Sequence, residues 1–108
     1  MLTEVWRPGT GRPPVVAVSG GDWAENMPEK RHPITVIRQI YVKSAGAATT
    51  FDVLIVDEKE VEIRRFITAT QIVNDLTPTP LYDGIYTIKI TNSTVDEDFV
   101  VLVCFGDL

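Results

Sequence analysis

The sequence has little of the chemistry that most enzyme and metal sites need. It contains one cysteine, Cys104, and one histidine, His32, in 108 residues. A single cysteine excludes a disulfide within the chain, and a single histidine excludes a His-rich zinc site built by one chain. Neither Cys104 nor any serine has a convincing base partner in the sequence. We therefore expect a protein that is not an enzyme and that uses no cofactor or metal.

Positive charge and long apolar runs are also scarce. Ten lysines and arginines stand against fifteen aspartates and glutamates, which gives a net charge of -5. Phosphates repel an acidic domain of this kind, so nucleic acid is not an expected partner. No apolar run approaches the roughly 20 residues that a membrane-spanning helix needs, and the N-terminus lacks a signal-peptide pattern. The expected protein is soluble, is made in the host cytoplasm and has no membrane partner.

Prolines and glycines are concentrated at one end of the chain. Residues 1–33 contain five of the seven prolines and four of the seven glycines, and these interrupt both helices and paired strands. The composition predicts an extended Pro/Gly-rich N-terminal arm over residues 1–33 and a folded domain over residues 34–108. Within the arm, residues 15–18 could add one short edge strand. The arm is neutral, so the whole negative charge belongs to the folded domain.

The arm carries side chains that suit a protein partner. Both tryptophans, Trp6 and Trp23, lie in it, and a large aromatic side chain in an irregular segment needs a surface on which to pack. That surface is either the protein's own folded domain, which we favour for Trp23, or another protein. With Arg7 and Arg12, the two tryptophans form the predicted partner-binding set of the arm.

From residue 34 onward, apolar residues alternate with polar ones or form short runs, which is typical of strands. The predicted strands cover residues 34–43, 51–56, 61–68, 86–91 and 99–105, while residues 70–76 fit either a helical turn or a short strand. Breaks in the alternation at Arg38 and at Arg64 and Arg65 indicate β-bulges. The two prolines of residues 77–80 force an extended segment, which we interpret as a crossing between sheets.

The last two predicted strands are interpreted as an antiparallel hairpin. Residues 86–91 alternate, which predicts one buried face, whereas residues 99–105 are continuously apolar, which predicts burial on both faces. Cys104 would then be a small core residue. The whole pattern predicts an all-β protein, a small antiparallel β-sandwich or jelly roll.

A short segment before these strands resembles the tyrosine corner of immunoglobulin-like sandwiches. The sequence Asp-Gly-Ile-Tyr ends at Tyr86, and in such a corner the tyrosine hydroxyl hydrogen-bonds to nearby backbone. The acidic residues 57–62 and 96–98 are interpreted as solvated turns, with calcium ligation as the alternative.

The layout of the whole chain, an extended arm followed by a small acidic sandwich that ends in residues 84–90 and 99–103, resembles small structural proteins of tailed-phage virions. These include capsid decoration or cement proteins and short tail or adaptor components. The resemblance implies a non-enzymatic virion protein that clamps major capsid subunits or binds another virion protein, and that forms a homo-oligomer such as a dimer or trimer.

Two alternatives remain open from the sequence. The chain could be a tail, neck or baseplate component of the virion. It could also be a carbohydrate- or receptor-binding sandwich, for which Trp23, Tyr41 and Tyr82 are the candidate exposed aromatic residues.

Overall fold

The structure is a computed structural model that describes residues 3–29, 35–46, 50–94 and 96–107. These ranges contain ten strands and no helix, so the all-β prediction is confirmed. The strands are β1 (Thr3–Trp6), β2 (Val16–Val18), β3 (Trp23–Asn26), β4 (Thr35–Ser44), β5 (Thr50–Val56), β6 (Glu62–Thr70), β7 (Ile72–Asp75), β8 (Thr79–Leu81), β9 (Thr87–Thr91) and β10 (Glu97–Asp107).

The strands form two antiparallel sheets that pack face to face as a β-sandwich. In the first sheet β4 and β10 are central, with β1 and β2 paired along the free side of β10 and β7 and β8 along the free side of β4. The order of the second sheet is β3, β9, β5, β6. The rings of Phe51 and Phe99, one from each sheet, meet edge to face with centroids 4.9 Å apart. This arrangement is a favourable one for aromatic rings and fills the centre of the core.

The prediction that β9 and β10 form a hairpin is wrong. β9 pairs with β3 and β5 in the second sheet, whereas β10 pairs with β1, β2 and β4 in the first. Their buried side chains, such as Ile88 and Phe99, therefore meet across the sandwich instead of lying side by side. The chain therefore passes from one sheet to the other between β9 and β10, and the two sheets of such packings lie about 10 Å apart.

The described part of the predicted arm is paired with the sandwich. β1 and β2 pair with β10, and β3 pairs with β9. Val16, Val18 and Met27 belong to the hydrophobic core. The edge strand predicted for residues 15–18 is present as β2. Whether residues 34–108 fold without this segment stays a prediction, but its removal would take side chains out of the core.

Two local predictions are confirmed by the register and the hydrogen bonds. Cys104 lies opposite Gln39 and Phe105 lies opposite Ile37, so Arg38 is the extra residue of a bulge in β4. The backbone N–H of Tyr82 donates a hydrogen bond to the Tyr86 hydroxyl at 3.0 Å. This contact is the one that a tyrosine corner makes.

The prolines of residues 77–80 do not lie at a crossing between the sheets. β8, which contains Pro80, pairs with β4 and stays in the same sheet as β7. The chain crosses from the second sheet to the first at Gln71, the single residue between β6 and β7, which has a φ of 59°. That left-handed conformation reverses the chain within one residue and is uncommon for a residue other than glycine.

The paired arginines of β6 point in different directions, as the alternation of a strand requires. Arg64 donates to Asp75 at 2.8 Å and to Thr79 at 2.7 Å, and so links the edge of the second sheet to that of the first. Arg65 bonds Glu62 on the other side. Both arginines lie directly opposite residues of β5, so neither is the extra residue of a bulge. The nearest bulge lies at Ile63, beside the predicted position.

Candidate partner-binding surface

Residues 7–15 form a closed loop between β1 and β2, hereafter the N-terminal loop. Thr10 and Val15 exchange two backbone hydrogen bonds of 3.0 and 2.9 Å across it. Gly9 has a φ of +106°, and a Cβ at this position would lie 2.2 Å from the carbonyl oxygen of Val15. Only glycine fits this turn, and the loop therefore has a defined shape.

The predicted arginines lie on this loop. Arg7 and Arg12 are both exposed, whereas the neighbouring Pro8 is buried and anchors the start of the loop. No acidic residue occurs among residues 7–15. The loop thus presents two guanidinium groups from a surface that belongs to an acidic protein.

The two tryptophans pack against their own sandwich. Trp6 lies opposite Val103 in the first sheet and Trp23 lies opposite Ile90 in the second, and both are half-buried against the core. Trp6 directly precedes the N-terminal loop, but Trp23 lies in the other sheet. The exposed part of Trp23 lines a shallow groove of about 390 Å³ together with Asp22, Ala24, Lys89 and Thr91. The binding role of the four residues stays a prediction.

The outer face of the second sheet is held together by ion pairs and side-chain hydrogen bonds, and we call it the ion-paired face. Lys89 Nζ lies 2.6 Å from Glu60 Oε2. Arg65 bonds Glu62 and also lies 3.7 Å from Asp52. The hydrogen bond from Arg65 lowers the pKa of the Glu62 carboxyl below its ordinary value, and the same contact raises the pKa of Arg65.

Apolar residues of this face are covered by the charged side chains. Leu54 points away from the core and lies opposite both Arg65 and Lys89 in the two neighbouring strands. It is nevertheless only 6% exposed. Long charged side chains place their methylene groups over apolar neighbours while their charged ends stay in water, and we attribute the burial of Leu54 to Arg65 and Lys89.

The outer face of the first sheet is different, and we call it the open face. Its residues lie opposite one another in neighbouring strands and alternate with core residues: Val5, Gln39, Tyr41, Lys43, Ile72, Asn74, Val100, Leu102 and Cys104. Val5 and Ile72 are 54% and 47% exposed. The other four apolar members are half-buried, and none of the six belongs to the core cluster.

This face corrects the prediction that β10 is buried on both sides. Phe99, Val101, Val103 and Phe105 are buried, whereas the intervening residues Val100, Leu102 and Cys104 are only half-buried. Cys104 is therefore not a core residue; its thiol contacts Gln39 Oε1 at 3.6 Å. The sequence signal for this face is the second set of apolar residues in β10, which alternate with the core residues. From the sequence alone, these residues are interpreted as buried within the same protein.

Several other residues bear on the sequence predictions. His32 lies outside the described residues. Tyr82 is 65% exposed, and Tyr41 lies on the open face. Within the described ranges, no three His, Cys, Asp or Glu side chains are grouped as a metal site would require. In the same ranges no helix is long and apolar enough to cross a bilayer.

No protein-family model matches the chain, and no curated protein matches it at a significant level.

Proposed function

We propose that the chain is a non-enzymatic structural protein of a tailed-phage virion, of the capsid decoration or cement type, that binds major capsid subunits. Within the same proposal, the alternative location is the tail, neck or baseplate of the virion. The layout of the chain, a Pro/Gly-rich segment joined to a small acidic sandwich, supports this class of protein. The partner is another protein of the particle.

The N-terminal loop is the observation that carries the proposal. A loop held closed by two backbone hydrogen bonds loses little conformational freedom on binding, so more of the contact energy is retained as affinity. Arginine binds carboxylates through two parallel hydrogen bonds. Arg7 and Arg12 therefore suit an acidic patch on the partner, while the acidic remainder of the chain disfavours other orientations.

Point substitutions test this better than removal of the segment. β1, β2 and β3 belong to the sheets, so a truncated protein could lose binding merely because it unfolds. Arg12 lies on the loop away from any strand, and its side chain is exposed. Lys59 is a matched control, because it is an exposed cation in the β5–β6 turn.

The experiment measures co-sedimentation of purified protein with phage particles assembled without it. We expect wild type and Lys59→Ala to bind equally, and Arg12→Ala to bind about tenfold more weakly, as interface arginines often do. Circular dichroism checks that each variant is folded. Failure of the wild-type protein to bind any such particle would contradict the proposal. Equal loss with Arg12→Ala and Lys59→Ala would show that charge alone, and not the loop, matters.

The groove beside Trp23 favours a second candidate function, a carbohydrate-binding module. Trp23 lines this groove together with Asp22 and Lys89, and an aromatic side chain with charged groups nearby is a combination that suits sugar rings and their hydroxyls. Binding of a glycan would change the fluorescence of Trp23. A glycan titration of wild type and Trp23→Leu, with Trp6→Leu as the control, distinguishes this function from particle binding.

A further inference from the structure

We propose that the open face is the interface of a homodimer of this chain. The proposal is independent of the virion assignment, since it concerns how two copies meet and not what they bind. It begins with a contrast within the molecule. The chain covers Leu54 on the ion-paired face with Arg65 and Lys89, but the corresponding centre of the open face, Leu102 opposite Tyr41, has no such charged neighbours in register.

Three polar side chains of the open face are already hydrogen-bonded to one another. Gln39 Nε2 donates to Asn74 Oδ1 at 2.9 Å, and the Cys104 thiol donates to Gln39 Oε1 at 3.6 Å. These contacts join three neighbouring strands, β10, β4 and β7. Burial of a polar group is costly mainly when it lacks a partner. These three side chains therefore lose little when a covering surface removes water from them.

The area of the first sheet fits a homodimer. β4 and β10 are 10 and 11 residues long, and the sheet is three to four strands wide along them. At the usual rise per residue and strand spacing, the outer side of the whole sheet covers roughly 600 Å², and the open face at its centre covers roughly 250 Å². A standard interface buries about 800 Å² per partner, and homodimer interfaces are more apolar than other protein interfaces. The outer side of the first sheet, with the open face at its centre, comes close to that area with strands alone.

The charge of the face favours a second copy as the occupant. Lys43 is the one charged residue among its nine members. At its two margins lie charges of opposite sign, Asp98 two residues before Val100 and Arg38 over Gly106. A two-fold axis brings identical surfaces together, which an acidic surface would resist. A nearly neutral, apolar surface can meet its own copy even though the whole chain carries a charge of -5.

The test compares two lysine substitutions by sedimentation velocity over a wide concentration range. Leu102→Lys places a charge at the centre of the open face, and Thr91→Lys places the same charge on the ion-paired face. Both make the chain less acidic, so general repulsion cannot explain a loss of dimer. We expect dimers for wild type and Thr91→Lys, and a dimer dissociation constant raised about 100-fold for Leu102→Lys.

A second variant and a chemical probe keep the test valid if Leu102→Lys does not fold. Ile72 is 47% exposed, so Ile72→Lys should fold normally and also weaken the dimer. In wild type the reaction of Cys104 with a thiol reagent should slow as protein concentration rises, because the dimer covers it. A monomeric wild type, an assembly other than a two-fold dimer, or dimers unaffected by both Leu102→Lys and Ile72→Lys would each overturn the proposal.

Discussion

The two outer faces of the sandwich differ in how their apolar residues are covered. Both sheets have apolar residues that point away from the core, Leu54 in one and Leu102 in the other. On the ion-paired face, charged side chains from neighbouring strands cover Leu54, and their ends pair with carboxylates at the rim. On the open face, Leu102 lies among Tyr41, Val100 and Cys104 and is only half-buried. The comparison shows two arrangements of an outward apolar residue. Leu54 is covered by side chains of its own chain, whereas Leu102 stays partly accessible to another surface.

The largest expected effect comes from the layer that both sheets share. Tyr86 is 7% exposed and closes the tyrosine corner, whereas Tyr82 is 65% exposed. We expect Tyr86→Ala to lower the free energy of unfolding by about 3 to 5 kcal/mol. Tyr82→Ala keeps the backbone N–H that bonds Tyr86 and should lower it by less than about 1 kcal/mol. Urea denaturation measures both, and equal midpoints would contradict the assigned sides.

Leucine-to-alanine substitutions sharpen the comparison of the faces. Leu54→Ala should lower the free energy of unfolding by about 2 to 3 kcal/mol, because Leu54 is almost fully covered within one chain. Leu102→Ala should cost the monomer about 1 kcal/mol, since part of that side chain is already in water. Denaturation at concentrations below self-association gives these values. A larger loss for Leu102→Ala would mean that the two faces are covered alike.

The covering role of Arg65 can be separated from its charge. Arg65→Met keeps an apolar side chain over Leu54 and removes the ion pairs, whereas Arg65→Ala removes both. We expect Arg65→Ala to lower the midpoint of urea denaturation measurably and Arg65→Met to lower it by clearly less. If the two variants lose the same stability, and that loss disappears at high salt, the ion pairs and not the methylene groups protect this face.

The smallest effect is the pH dependence of Glu62. Its pKa in the folded protein lies below its ordinary value of 4.5 because Arg65 donates a hydrogen bond to it. A carboxyl with a lowered pKa stabilises the fold above its unfolded pKa, and this contribution is lost as pH falls through the folded value. Wild type should therefore be slightly more stable than Glu62→Gln at neutral pH. The melting temperatures should converge below pH 4.5, and a constant difference would show that Glu62 does not titrate as inferred.

Much of the fold could be predicted because it is local. Alternation marked the strands, the phase break at Arg38 marked a bulge, and four residues ending at Tyr86 marked the corner. Pairing could not be predicted in the same way. Alternation shows that a strand has an apolar face but not which strand lies beside it, and two strands that meet across a core show the same pattern as a hairpin. β9 and β10 were misassigned for this reason.

The candidate surfaces were predicted in part. The exposed arginines of the N-terminal loop follow from its prolines and glycines, which exclude a helix there. The open face could not be distinguished from the core in the sequence, because all residues from Phe99 to Phe105 are apolar. An apolar residue has the same identity whether its own chain or another copy covers it. Gln71 left no signal either, since glutamine at a left-handed position has no sequence pattern.

The pairing of β1 and β2 with β10 also determines when the first sheet can form during synthesis. Thr3 lies opposite Gly106, and among the described strands the partners of β4 are β7, β8 and β10, all of which emerge later. The second sheet differs, because β5 and β6 are adjacent in the chain and joined by a short turn. We expect the β5–β6 hairpin to be protected first in pulse-labelling hydrogen exchange. The strands that flank β10 should be protected last, because contacts between distant residues form slowly.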